Sequence, residues 1–188
     1  MRKRGWPLVI AANRLPVVRV RHKRGPEWKR SPGGLVSALT PIVQREGGAW
    51  VGWAGKAGEA PQRFEHDGIA NLTVSISRDE LHDYYDGFCN ATLWPLYHGG
   101  IREPQYHRSW WRRYAEINRR FAELVADAAS EGARLWIHDY HLQLAPGLVR
   151  QLRPDLRIGF FLHTPFPPEE LFNRLPWRRQ IVEGLLGS

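Results

Sequence analysis

The chain has 188 residues, 43% hydrophobic and 12% aromatic, with a formal net charge of +8. That is enough chain for one full hydrophobic core, and the composition excludes a disordered polypeptide. The single cysteine, Cys89, excludes an internal disulfide and any multi-cysteine metal site, and no apolar run reaches membrane-spanning length. A cytoplasmic protein is expected, because residues 8–12 are too short an apolar run for a secretory signal.

The basic residues are scattered over residues 2–4, 19–30, 102–120, 150–157 and 174–179, with no zinc-finger, RRM or KH signature. Nucleic acid is therefore not an expected partner. Positive charge also attracts phosphorylated metabolites and nucleotides.

Residues 7–12 (Pro-Leu-Val-Ile-Ala-Ala) read as a buried first strand, followed by Asn13-Arg14. An arginine at a strand end is either a loop residue pairing with a surface carboxylate or a bidentate phosphate clamp, and its place at the sheet edge favours the clamp. Residues 17–31 are basic and contain Gly25-Pro26, which suggests a hairpin or loop over the site, or a surface excursion. Gly33-Gly34 precede Leu35, Leu39, Ile42 and Val43 at helical spacing, which would let a ligand approach backbone N–H groups at a helix start. Pro41 inside that helix predicts a kink or a late start. Residues 49–54 and 72–76 read as two further strands, with a polar loop between them up to Gly68.

Ser77-Arg78-Asp79-Glu80 fits a capping box, opening a helix to about residue 91. Residues 90–98 are dense in aromatics and form either a packed corner or a sugar-stacking wall. Trp110, Tyr114, Ile117, Phe121, Leu124 and Ala128 recur by threes and fours, an amphipathic helix with an aromatic core stripe that Gly132 is expected to end. Residues 135–138, 142–153 and 157–162 then read as strand, helix and strand, a βαβ unit with parallel strands. Both strands end in ionisable groups: His138-Asp139-Tyr140-His141 after one and His163 after the other. Single polar residues there would merely satisfy loop backbone, but two strand ends carrying them together favour a ligand site. Two short helices, residues 168–174 and 177–186, close a mainly parallel, doubly wound α/β domain without repeat or linker.

Taken together, several segments resemble the trehalose-6-phosphate synthase family of retaining glycosyltransferases, family 20. They are Ala-Asn-Arg-Leu-Pro at 12–16, Pro-Gly-Gly-Leu at 32–35, Trp-Val-Gly-Trp at 50–53 and Asp-Tyr-Tyr at 83–85 with Phe88. Further on come Asn-Ala-Thr-Leu-Trp-Pro-Leu-Tyr-His at 90–98, Tyr114 to Asn118, Trp-Ile-His-Asp-Tyr-His-Leu at 136–142 and Gly-Phe-Phe-Leu-His-Thr-Pro-Phe-Pro at 159–167. They occur in the family's order over almost the whole chain.

The resemblance implies the N-terminal, Rossmann-like half of a GT-B glycosyltransferase, with residues 1–188 as one acceptor-binding domain. The C-terminal donor-binding domain lies outside this chain, so a fragment inactive alone is expected. The implied partners are glucose 6-phosphate and UDP-glucose, the latter held mostly by the missing domain. No cofactor, metal, membrane or nucleic acid is implied, and a homo-oligomer of the full-length protein is compatible. By position, Arg14 resembles the contact to the acceptor phosphate, and Tyr85, Trp94 and Asp139 the residues around the acceptor glucose. Gly33 and Gly34 resemble the turn against the donor diphosphate, and His163 a residue near the donor sugar, which puts His163 and Asp139 at the reaction centre. The readings kept beside this one are a pseudo-glycosyltransferase of the same fold and a non-catalytic sugar-phosphate-binding module.

Overall fold

The computed structural model describes residues 5–22, 25–56 and 61–188. A six-stranded sheet runs through the chain, built from β1 (Trp6–Arg14), β4 (Ala49–Trp53), β5 (Arg63–His66), β6 (Ile69–Thr73), β7 (Ala129–His138) and β8 (Arg157–Phe161). Its order is β5-β6-β4-β1-β7-β8, with every pair parallel except β5–β6. From β1 the chain builds outward through β4 to β6, then returns to place β7 and β8 on the other side of β1. The strand order therefore reverses between β1 and β7, the place where an open α/β sheet leaves a crevice.

Alternation along β1 shows how both faces are covered. Leu8, Ile10 and Ala12 pack with Val36, Leu39 and Val43 of α1 (Gly34–Glu46) on one face. Val9 and Ala11 face the opposite way, towards Tyr114, Ile117, Phe121 and Val125 of α4 (Arg108–Ala128). Period-two strand geometry sends successive side chains to opposite faces, so a strand apolar at every position must be covered on both. The expected doubly wound, mainly parallel α/β architecture is what forms.

Several boundaries differ from the sequence reading. Arg14 is the last residue of β1 rather than the first of a loop. Residues 17–31 form an antiparallel hairpin, β2 (Val17–His22) and β3 (Gly25–Arg30), which docks on the sheet by stacking Trp28 on Phe64 of β5 at 4.3 Å. β5 itself falls in the stretch read as a polar loop, because Arg63 and Glu65 alternate with half-buried residues on an exposed edge strand. The strand expected over residues 72–76 lies at Ile69–Thr73. α1 keeps Pro41 inside and starts directly at Gly34, so no late start occurs. Gly132 does not end α4. The helix stops at Ala128, and Gly132 sits inside β7 at φ 65°, where the pairing with β1 shifts register.

The helix after the Ser77–Glu80 capping box begins as α2 (Arg78–Leu81) and closes as α3 (Trp94–Tyr97), but His82–Leu93 between them is π-helical. Glu80 also receives Arg120, and these partners hold its carboxyl down to about 2 against the opposing effect of burial. Gly87 in this segment lies flat against the Trp110 ring, where a Cβ would come within 2.6 Å. The chain continues through α5 (Ala145–Leu152), α6 (Glu169–Phe172) and α7 (Arg178–Leu185). Among the described residues, no helix is long and apolar enough to cross a membrane.

The turn between β7 and α5 is held by side chains of α4. Tyr114 donates its hydroxyl to the Tyr140 carbonyl at 2.8 Å and accepts the Gln143 N–H at 3.1 Å. Asn118 donates Nδ2 to the carbonyls of His141 at 3.0 Å and Tyr114 at 2.9 Å, while its Oδ1 accepts the N–H groups of Leu144 and Ala145, each at 3.1 Å. Tyr114 and Asn118 are fully buried. Replacing Asn118 by alanine would orphan several buried backbone groups at once, so Asn118→Ala should cost about 2–4 kcal/mol of stability. Urea denaturation of the two chains measures it, and a loss well under 1 kcal/mol would mean that the turn does not depend on this side chain.

Candidate functional site

A concavity of about 300 Å³ opens where β1, β7 and β8 end, at the reversal of strand order. Arg14, Gly33, Gly34, Tyr85, Asp139 and His163 all line it, together with His138 and His141. These groups come from β1, the start of α1, the π-helical segment, the end of β7 and the turns after β7 and β8, so only the fold brings them together.

Arg14 rests against the Trp53 ring, its guanidinium carbon 5.2 Å from the centroid, and reaches the Gly55 carbonyl at 3.4 Å. A Cβ on Gly55 would collide with that guanidinium, so the glycine makes room for it. Among the described residues this is the one hydrogen bond of the guanidinium, which leaves most of its five N–H donors available. Gly33 precedes α1 at φ 140°, and a Cβ at Gly33 or Gly34 would meet nothing within 4 Å. The helix has no acidic residue in its first turn, so its positive end meets the concavity uncompensated.

Asp139 has φ 74° and ψ 167°, a region almost reserved for glycine. Such a backbone costs on the order of 1–3 kcal/mol and persists only where its surroundings enforce it. Here its N–H donates to the Phe161 carbonyl at 2.8 Å and its carbonyl accepts the Leu142 N–H at 3.1 Å. Burial tends to raise the Asp139 carboxyl, but the neighbouring His141 ring, the Tyr140 backbone N–H and His163 outweigh it and keep the group below its ordinary value. The His141 contact is 3.5 Å from Nδ1 to Oδ2, at the long limit for a hydrogen bond. His141 also stacks on Tyr85, ring centroids 5.9 Å apart, tying the acid to the aromatic wall. Among the described residues, no set of three His, Cys, Asp or Glu side chains is grouped to hold a metal ion.

The glycosyltransferase family 20 model matches residues 7–188. The chain belongs to this family. A trehalose-6-phosphate synthase of Mycobacterium sp. (strain KMS) is 58% identical over 181 residues, which is 96% of this chain and 37% of that protein. The E. coli structure described as trehalose-6-phosphate bound with UDP-2-fluoro glucose superposes with a TM-score of 0.82 at 32% identity, covering 96% of this chain and 38% of that one. A Burkholderia xenovorans UDP-forming trehalose-phosphate synthase in complex with glucose 6-phosphate gives 0.78 at 32% identity, with the same coverage. This family 20 chain thus spans under two fifths of the length of these relatives.

Of the residues singled out in the sequence, Trp94 is the one that does not line the concavity. It ends the π-helical segment, where its ring stacks on His98 at 4.2 Å and lies under the Arg102 guanidinium at 5.5 Å. The sequence reading assigned no part to Tyr84 or Gln143. Tyr84, buried, donates to Asn13 Oδ1 at 3.0 Å and so joins the π-helical segment to the end of β1. Gln143, also buried, accepts the Tyr97 hydroxyl at 2.6 Å. A polar residue inside an otherwise apolar stripe was the available signal, and it marks Asn118 as well.

His138 is nearly fully enclosed. Burial first, and then the neighbouring His163, push its imidazole down from 6.5 to about 4, with Asp139 pulling weakly the other way. The unfolded chain therefore binds this proton near pH 6.5 and the folded chain only near pH 4, so the stabilisation is complete above pH 6.5 and is lost as the pH falls through that window. Between pH 7.5 and 5.0 the wild-type chain should lose about 2 kcal/mol from this group, from 1.36 kcal/mol per pH unit. The acids held low, Glu80 and Asp139, titrate below that range. Urea denaturation at the two pH values should show the loss, and His138→Asn should flatten it; an unchanged slope in the variant would assign the loss to other groups.

Proposed function

We propose that residues 1–188 are the Rossmann-like acceptor domain of a UDP-forming trehalose-6-phosphate synthase, a glycosyltransferase whose donor-binding domain is supplied by further chain. The reaction is transfer of glucose from UDP-glucose to glucose 6-phosphate with retention, giving trehalose 6-phosphate. The observation that carries this reading is the convergence of Arg14, the open Gly33-Gly34 helix start, Tyr85, Asp139 and His163 on one concavity at the strand-order reversal. A cation, an unobstructed helix N-terminus, an aromatic wall and a carboxylate are the groups that a sugar phosphate beside a diphosphate requires. A cytoplasmic setting is part of the proposal, and the one thiol, Cys89, is buried and free.

In this reading Arg14 takes the acceptor phosphate with its planar fork. Asp139, kept ionised, accepts hydrogen bonds from acceptor hydroxyls, and Tyr85 supplies the apolar face with a polar tip. Trp94 belongs to the acceptor site by family position only. The N–H groups at the start of α1 face the donor diphosphate, where leaving-group charge develops. Retention without a protein nucleophile puts the leaving diphosphate and the incoming hydroxyl on one face of the donor sugar. The protein's contribution is then positioning and charge stabilisation.

Glucose 6-phosphate should bind this chain more tightly than glucose, and Arg14→Ala should erase about 1.5–3 kcal/mol of that preference, the range of a charge-assisted contact. Calorimetry with both sugars decides it, and equal binding of the two by the wild-type chain would overturn the assignment.

The chain alone should form no trehalose 6-phosphate from UDP-glucose and glucose 6-phosphate, because near-attack positioning needs both walls of the cleft. Addition of a separately expressed donor domain is the positive arm of that assay. Robust turnover by these residues alone would contradict the acceptor-domain reading.

A further inference from the structure

His138 lies behind His163, with its Nδ1 3.2 Å from His163 Nε2. We propose that His138 is a positioning residue that fixes His163 as its Nδ1–H tautomer, so that His163 presents a neutral N–H donor at the rim of the concavity. The proposal rests on the sugar-phosphate reading only for what that donor meets, an oxygen of a sugar hydroxyl or of a phosphate.

Two ring nitrogens at this distance need one proton between them: two would repel, and none would leave lone pair against lone pair. Neutral His138 can place its proton on Nδ1 or on Nε2. Its Nε2 is buried with no hydrogen-bond partner among the described residues, and the ring is flanked by Trp136 at 4.9 Å and Phe161 at 6.2 Å between centroids. A proton on Nε2 would therefore be a buried N–H with nothing to accept it, the rarer and costlier kind of orphan. The proton belongs on Nδ1, where it donates to His163 Nε2. That bond occupies His163 Nε2 as an acceptor, so neutral His163 must carry its own proton on Nδ1. The His163 ring is exposed, and the rings of the pair are near-parallel, 26° apart. Asp139 adds a second restraint from the other side, its Oδ1 standing 3.4 Å from the His163 backbone N–H. Family 20 chemistry gains from such a device because a donor held at one nitrogen needs no reorganisation when substrate arrives.

Long-range proton–nitrogen correlation NMR on the full chain, with labelled histidine and no ligand, reads which nitrogen of each ring is protonated. His163→Ala assigns the resonances. At about pH 8 the wild-type spectrum should show both His138 and His163 protonated on Nδ1. In His138→Leu the His163 pattern should shift from Nδ1–H to the mixture, with Nε2–H in the majority, that a free neutral histidine side chain shows in water. In His138→Asn, whose amide N–H stands close to the place of Nδ1–H, the Nδ1–H form should persist. An Nε2–H form of His163 in the wild-type chain would overturn the proposal, as would a folded His138→Leu chain with an unchanged His163 pattern. If the leucine variant does not fold, the wild-type and asparagine spectra still decide. Because the spectra are recorded without ligand, failure of glucose 6-phosphate to bind preferentially would remove the functional reading and leave the tautomer result standing.

Discussion

The turn after β7 depends on hydrogen bonds that no sheet or helix ladder supplies. Between His138 and Ala145 the backbone leaves the strand, passes through Asp139 in a conformation that side chains avoid, and enters α5. Its carbonyls and N–H groups are buried, and Tyr114 and Asn118 of α4 satisfy them. Without those two residues the turn would have to trade buried, unpaired polar groups for exposure to water. The position of Asp139, and with it the acid end of the concavity, follows from this anchoring. α4 is therefore both the main apolar cover of one sheet face and the jig for the site.

The electrostatics follow the same division between rigid support and open end. The carboxylate and the three histidines sit on the sheet side, where neighbouring His141, the Tyr140 N–H and His163 keep Asp139 charged against its burial, and burial keeps His138 neutral. Arg14 and the α1 N-terminus sit on the other side and contribute positive potential with little compensation among the described residues. A ligand with an anionic end and a hydroxyl-bearing end matches this polarity, and a uniformly charged one does not. The hairpin β2–β3 is tied to edge strand β5 by the Trp28–Phe64 stack and the contact of His66 with the Trp28 carbonyl, which fixes its direction as it leaves the Arg14 side of the site.

Family 20 membership covers nearly all of this chain, which spans two fifths or less of its curated relatives. The α/β body has its own core on both sheet faces, which is the property expected of a domain that can fold independently. The histidine pair behind the concavity uses that independence. Its two rings are placed by the end of β7 and the turn after β8, both within this chain.

The sequence by itself determined the class of fold and named six of the residues that line the concavity. Unbroken apolar runs at residues 7–12 and 49–54 require cover on both faces, and the βαβ spacing around His138 and His163 forces parallel strands whose polar ends share an edge. That was enough to place Arg14, Asp139 and His163 together. Period and composition are local signals, and what they missed is non-local. β5 forms because β6 offers it an edge, the π-helical winding of His82–Leu93 is not visible in side-chain spacing, and Gly132 becomes a strand bulge only through its pairing with β1. Trp94 is directed to His98 and Arg102 by the end of that winding. The roles of Asn118, Gln143 and the His138–His163 contact depend on which distant atoms a buried polar group meets, and only the packed chain decides that.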